Sequence, residues 1–266
     1  MKIRIVIDIG NTNIKYGIFK ENKLLYQFKQ RTVNNATSDE IGLFICQFLN
    51  SNGFFKDDVD GVIISSVVPQ IMFSVKHSIT KYFNQEPIIL GKNLNYDFSY
   101  ISSNKEIMSA PDRLIGCYYV NKKYPGVPSV ILDFGTATTF DVINEKGNYL
   151  GGVILPGVRI LSDVLTEKTA QLPKIEIQYP ETLFGVNTVY QMQAGIIYGY
   201  IGSVKNIINE LKVNLIRQES KKVQVVATGG LSTIFYKEKN LFDVIDKTLI
   251  LDGLNSLYNE HESFNL

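Results

Sequence analysis

The chain has 266 residues, 45% of them hydrophobic and 20% charged, which is length enough for two modest domains that each bury a core. A formal net charge of +1 gives no electrostatic footprint for nucleic acid or an anionic membrane surface. No apolar run approaches the ~18 residues of a membrane span, and two cysteines (Cys46, Cys117) with two histidines (His77, His261) suit a reduced cytoplasmic protein without a disulfide framework or a histidine-rich metal site.

In chain order, the β-branched run over 3–7 predicts a strand, followed by a turn, a second strand over 14–19 and a third over 24–29. Ser38-Asp39-Glu40 reads as the cap of a helix to about residue 51, with Ile41, Phe44, Ile45, Phe48 and Leu49 at helical spacing. A buried strand is expected over 62–68, a helix from Pro69 to about 83, a short strand over 87–90 and a helix over 111–123. The Pro-Gly-Val-Pro stretch at 125–128 breaks the chain, so the domains are expected at 1–124 and 125–266.

The second half repeats the order. Three strands over about 129–155 include Gly151-Gly152 as strand-end turn glycines, and a helical insert over 157–165 and a polar connection over 169–181 follow. A long helix over about 188–211 carries Ala194, Gly195, Gly199 and Gly202. Each helical glycine costs ~1 kcal/mol against alanine, so close packing on another element is expected there. A buried strand over 223–227 ends in Thr228-Gly229-Gly230, the counterpart of the strand over 62–66.

Chemistry concentrates in two turns 125 residues apart: Asp8-Ile9-Gly10-Asn11-Thr12-Asn13 and Asp133-Phe134-Gly135-Thr136-Ala137-Thr138-Thr139. Glycine lets backbone approach a phosphate, and Asn and Thr add donors. A carboxylate cannot hold a phosphate directly, so each Asp must act through a cation or a water. Two such turns would clamp a nucleotide polyphosphate between duplicated halves. A Gly-x4-Gly-Lys-Ser/Thr loop and a Gly-x-Gly-x-x-Gly turn after a strand are both absent from the sequence.

The arrangement resembles the superfamily of acetate and sugar kinases, heat-shock 70 ATPase and actin, and within it the type III pantothenate kinases. The resemblance is carried by Asp8 to Lys15, Pro111-Asp112-Arg113-Leu114, Asp133 to Asp141, Gly151-Gly152, Pro156-Gly157, Gly185 to Val189, Gly195 to Tyr200, Ala227 to Leu231 and Leu249 to Leu254. It implies an α/β fold of two duplicated ribonuclease H-like (actin-like ATPase) domains, each a mixed sheet flanked by helices. The implied reaction is transfer of the γ-phosphoryl of ATP to pantothenate, the first step of coenzyme A biosynthesis.

The resemblance also implies site roles. Asp8, Ile9, Gly10, Asn11, Thr12, Asn13, Ile14 and Lys15 bind ATP, with Asp8 organising Mg²⁺ and Thr136 as the matching contact from the second turn. Asp133 holds a monovalent cation, potassium or ammonium. Asp112 is the general base, and Ala110, Pro111, Asp112, Arg113 and Thr188 contact pantothenate. The plainer readings are a solvated strand lysine for Lys15, a turn cap for Asp133, a helix-terminal carboxylate for Asp112, a structural ion pair for Arg113 and a helix cap for Thr188. Two departures stand out. Ala110 replaces a glycine, and Ser103 occupies the spacing of a pocket tyrosine, leaving Tyr100 as the favoured substitute with Tyr96 as the alternative. The family further implies a homodimer formed by the second domains, beside which pantothenate binds. The rival class is a non-catalytic nucleotide-binding regulator on the same fold.

Overall fold

The computed structural model describes residues 2–92, 94, 110–219, 222–235, 237–238 and 240–264. Strand β1 (Ile3–Ile9) pairs antiparallel with β2 (Asn13–Lys20) and parallel with β4 (Val59–Ser66). With β3 (Lys23–Arg31) beside β2 and β5 (Ile88–Ile89) beside β4, the first sheet runs β3-β2-β1-β4-β5. The second sheet contains β6 (Ser129–Phe134), β7 (Ala137–Ile143), β8 (Tyr149–Pro156), β9 (Gln224–Thr228) and β10 (Val244–Ile245) in the order β10-β9-β6-β7-β8. Counted from its other edge this is the same order, with the first three strands antiparallel and the rest parallel. The expected duplication is therefore present strand for strand, in two mixed sheets of the ribonuclease H-like order.

Parallel neighbours require crossovers, which the helices supply. α1 (Ser38–Ser51) links β3 to β4 and α2 (Met72–Phe83) links β4 to β5. Ile3, Ile5, Ile7 and Ile9 of β1 face Ile41, Ile45 and Leu49 of α1 and Val75 and Ile79 of α2, all fully buried. The opposite face of β1 buries Val6 as well, which is why the strand reads as a continuous apolar run. Gly42 lets α1 approach α2: a methyl group there would stand 2.3 Å from the Tyr82 ring.

Local details differ from expectation. The α1 cap is Thr37, one residue before Ser38, because its hydroxyl accepts from Glu40 N while Glu40 returns a bond to Thr37 N. Pro69 opens a 3-10 turn, Pro69–Ile71, ahead of α2. Gly151 and Gly152 lie inside β8, with Gly151 at φ +123° beside a register shift, so they serve a bulge and not a strand end.

Two further helices are α3 (Pro111–Lys123) and α4 (Val158–Lys168), followed by the 32-residue α5 (Thr188–Glu219) and α6 (Leu249–Phe264). A cut at residue 125 separates the strands of the two sheets, but the compact units interleave in sequence. The first takes the described residues up to 94, 110–119 and 248–264, and the second takes those of 120–247. α6 joins the first unit because Arg4 of β1 holds it: the guanidinium lies 3.8 Å from the Tyr258 ring centroid and donates to Asn255 and Asn259, each at 2.7 Å. Strand β10 and helix α6 were not anticipated from the sequence.

Candidate active site

The first turn closes through Gly10 N donating to Asn13 O at 3.1 Å. It is braced from both sides, by Thr32, whose hydroxyl donates to Gly10 O at 2.6 Å, and by Val67 N, which donates to Ile9 O at 3.0 Å. Ile9 and Ile14 are buried opposite one another, so their side chains anchor the turn and only their backbone is available to a ligand. Asn11, Thr12 and Asn13 are exposed. Asp8 is 5% exposed and points to the face opposite the α1–α2 core, in register with Lys15 on β2 and Ser65 on β4. Lys15 Nζ stands 3.3 Å from Asp8 Oδ2, which replaces the solvated reading of Lys15 with an ion pair.

Register also orients the helices on that face. Leu251 of α6 lies against Gly17, which pairs with Val6, whereas Asn255, Tyr258 and Asn259 reach Arg4. α6 thus runs antiparallel to β1. Along α3, Ile115 meets Gly253, and Tyr118 bonds Ser256 at 2.9 Å and Glu260 at 2.7 Å, so α3 runs parallel to α6. Both helices therefore direct their N-termini toward the carboxyl end of β1, the end that carries Asp8 and its turn. Helix N-termini offer unpaired N–H groups and partial positive charge, the setting for an anion. Asp112 and Arg113 are in the first turn of α3, half-buried, with Ala110 exposed before them. Arg113 N donates to Asp112 Oδ1 at 2.9 Å.

In the second unit Gly135 N donates to Ala137 O at 3.1 Å, the same closure in a turn one residue shorter. Asp133 is in register with Thr139 on β7 and Thr228 on β9. Gly229 follows at φ +91°, and a methyl group there would stand 2.4 Å from Asp133 Oδ1. Thr136 is exposed, and its carbonyl accepts from the N–H of Gly157, the residue before α4, at 3.1 Å.

Thr188 is the exposed first residue of α5. The capping job proposed for it belongs to Asn187, whose Oδ1 accepts from Tyr190 N at 3.0 Å. The glycines of α5 also differ from expectation, since a methyl group at Gly195, Gly199 or Gly202 would meet nothing within 4 Å. Gly195 and Gly199 instead line a recess of about 400 Å³ with Leu183, Phe184 and Tyr198. Tyr100, Tyr96 and Ser103 lie outside the described residues.

Among the described residues no cluster of three or more His, Cys, Asp or Glu forms a metal cage, and no helix is long and apolar enough to cross a membrane. The oxygen donors that are present fit hard cations. Magnesium commonly keeps its waters and takes one or two carboxylates with substrate phosphates, which suits Asp8. The glycine at 229 keeps space clear beside the Asp133 carboxylate.

Among the solved structures that share the fold are two that align along nearly their whole length. One, from Campylobacter jejuni and described as of the Baf family of transcriptional activators, has TM-score 0.59 at 20% identity, covering 97% of this chain and 99% of its own. The other, the activator of 2-hydroxyisocaproyl-CoA dehydratase from Clostridium difficile with bound ADPNP, has TM-score 0.50 at 11% identity, covering 99% and 96%. At these identities the likeness speaks for the fold alone. The sequence comparisons reach further. The model of the type III pantothenate kinase family matches residues 4–210. A type III pantothenate kinase from Bacillus cytotoxicus is 40% identical over 253 residues, 95% of this chain and 94% of the relative. On a family match over most of its length and a relative aligned along nearly all of it, this chain belongs to the type III pantothenate kinases.

Proposed function

We propose that the protein uses ATP to phosphorylate the primary hydroxyl of pantothenate, giving 4′-phosphopantothenate at the entry to coenzyme A synthesis, and that it does so in the cytoplasm without nucleic acid or membrane as partner. Family membership carries the activity. The roles of individual residues are our reading, supported by the pair of buried Asp8 and half-buried Lys15 at the end of β1 toward which α3 and α6 point.

In that reading Asp112 accepts the hydroxyl proton while the substrate oxygen bonds to the γ-phosphorus and the bond to the ADP oxygen breaks. Its position in the first turn of α3 favours the ionised form that a base requires. Arg113 and Ala110-Pro111 line the pantothenate side, and Tyr100 is assigned there from the sequence. Gly10, Asn11, Thr12 and Asn13 receive phosphates on one turn and Thr136 on the other. Lys15 neutralises phosphate charge while fixing the Asp8 carboxylate. Bound Mg²⁺ supplies charge neutralisation to the polyphosphate, with Asp8 as the residue that holds it through water. Asp133 holds a potassium or ammonium ion.

Thr188 belongs to the substrate pocket of a homodimer built on the second unit. Leu183, Phe184 and Val186 are 57%, 84% and 89% exposed beside the open glycine face of α5, an apolar surface unusual for a lone subunit. The overall test is ADP release from purified protein with pantothenate against a panel of small alcohols. Pantothenate-dependent turnover is expected. Nucleotide binding with no turnover on pantothenate would return the protein to the regulator class.

A further inference from the structure

Asp8 has polar neighbours on both sides in the sheet, and they are used differently. Lys15, on β2, forms an ion pair with it. Ser65, on β4, is fully buried, and among the described residues its Oγ has no hydrogen-bond partner. The neighbouring Ser66 shows what a serine at this strand end does when its role is local: its Oγ accepts from Val68 N at 3.0 Å. Ser65 takes no such bond, and it interrupts a strand whose residues 62–64 are all apolar and buried. A buried hydroxyl left unsatisfied is destabilising, and an alanine would fill the same space without that penalty.

The duplication gives the same placement a second time. Asp133 is flanked on β9 by Thr228, as Asp8 is flanked on β4 by Ser65. Both are buried hydroxyls on the parallel neighbour of the aspartate strand. In each sheet the residue before the turn carboxylate's register partner is apolar, Ile64 or Ala227, so the hydroxyl beside the aspartate follows directly on an apolar run.

We propose that Ser65 is a positioning residue for the magnesium–nucleotide complex, its hydroxyl taking its missing partner from a water of the metal's shell beside Asp8. This rests on the assignment of Asp8 made above. Magnesium retains several waters in such sites, and those waters need oriented acceptors and donors from the protein. Lys15 and Ser65 then divide the work around Asp8, one fixing the carboxylate and the other the water that the carboxylate shares.

The test is calorimetric titration of wild type, Ser65→Ala and Ser65→Thr with a non-hydrolysable ATP analogue, in magnesium and in EDTA, without pantothenate. A roughly tenfold loss of affinity is expected for Ser65→Ala in magnesium, with no change in EDTA and recovery in Ser65→Thr. The ligand-free thermal midpoint of Ser65→Ala should equal or exceed that of wild type, because an unsatisfied buried hydroxyl has been removed. Unchanged affinity in magnesium would overturn the proposal, as would an equal loss with and without the metal. Because pantothenate is absent, these titrations stand whether or not the kinase assay succeeds, and the two readings fail separately.

Discussion

Gly229 lies so close to Asp133 that one added methyl group would stand 2.4 Å from the carboxylate Oδ1 and 2.5 Å from Phe134 N. Its φ of +91° compounds the restriction, since side chains other than glycine seldom adopt it. Gly229→Ala should therefore lower stability by about 1–3 kcal/mol and impair the second turn more than the first. Denaturant unfolding would measure the first effect, and the response of the rate to added potassium the second. A variant with wild-type stability would show that β9 can retreat from β6.

Asp112→Asn keeps the size of the side chain and its place in the first turn of α3. Turnover should fall by roughly 10²–10⁴ while nucleotide affinity and the unfolding midpoint stay near wild type. Steady-state kinetics with pantothenate and separate nucleotide titration distinguish these outcomes. Activity within a few-fold of wild type would remove Asp112 from the role of base.

If Asp133 holds a monovalent ion, the rate at fixed Mg²⁺ and ATP should rise with potassium or ammonium and respond poorly to sodium. Sodium is smaller and more strongly hydrated, so a potassium-sized oxygen site binds it badly. Equal rates in the two salts at matched ionic strength would count against the assignment.

Gly199 has open space where a side chain would stand. Leucine there should leave the isolated subunit intact, and by helix propensity it should stabilise α5 by a little under ~1 kcal/mol. Association is where the cost should fall. Light scattering should report a shift toward monomer and calorimetry a weakening of pantothenate binding before ATP binding. A fully active Gly199→Leu monomer would detach the substrate pocket from subunit pairing.

Asp39 ties α1 to α2. Hydrogen bonds from Lys81 at 2.6 Å and Tyr82 at 2.7 Å hold its carboxyl below the usual range. A depressed folded-state pKa contributes stability above the unfolded value of about 3.9, and that contribution disappears as pH falls through the folded value. Asp39→Asn should lower stability modestly at neutral pH, where the charged clasp is intact, and flatten the acid limb so that variant and wild type converge as pH falls below about 4. An unchanged acid limb would show that the clasp is too solvent-screened to matter.

Much of this architecture was legible because the periodicity is strong. The β-branched runs of β1, β4 and β6 and the apolar spacing of α1 locate those elements, and Pro111 marks the first residue of α3. The two Asp-x-Gly turns stand out because each follows such a run. What escaped had weaker local signals. β10 is two residues long and exists through its pairing with β9. α6 begins in an apolar stretch that periodicity alone cannot separate from a strand, and its place on the first sheet depends on Arg4, more than 240 residues away. The Lys15–Asp8 pair needed the register of β1 on β2, and the unsatisfied hydroxyl of Ser65 needed that of β1 on β4. Asn187 took the cap from Thr188 by one residue, a margin that sequence patterns rarely resolve.

The return of α6 to the first sheet sets an order on the birth of the protein. Strands β1 to β4 leave the ribosome early, yet Arg4, Gly17 and Gly61 meet their helical partners only when residues 251–259 have been made. Until then α6 is missing from one face of the first sheet, while the second sheet is already complete in sequence at β10. The half translated first must therefore finish folding last, reversing the N-terminal-first order usual for multidomain chains. Chains ending at residue 247, held on the ribosome by a linker long enough to clear the exit tunnel, should be open to proteases in the first unit and protected in the second.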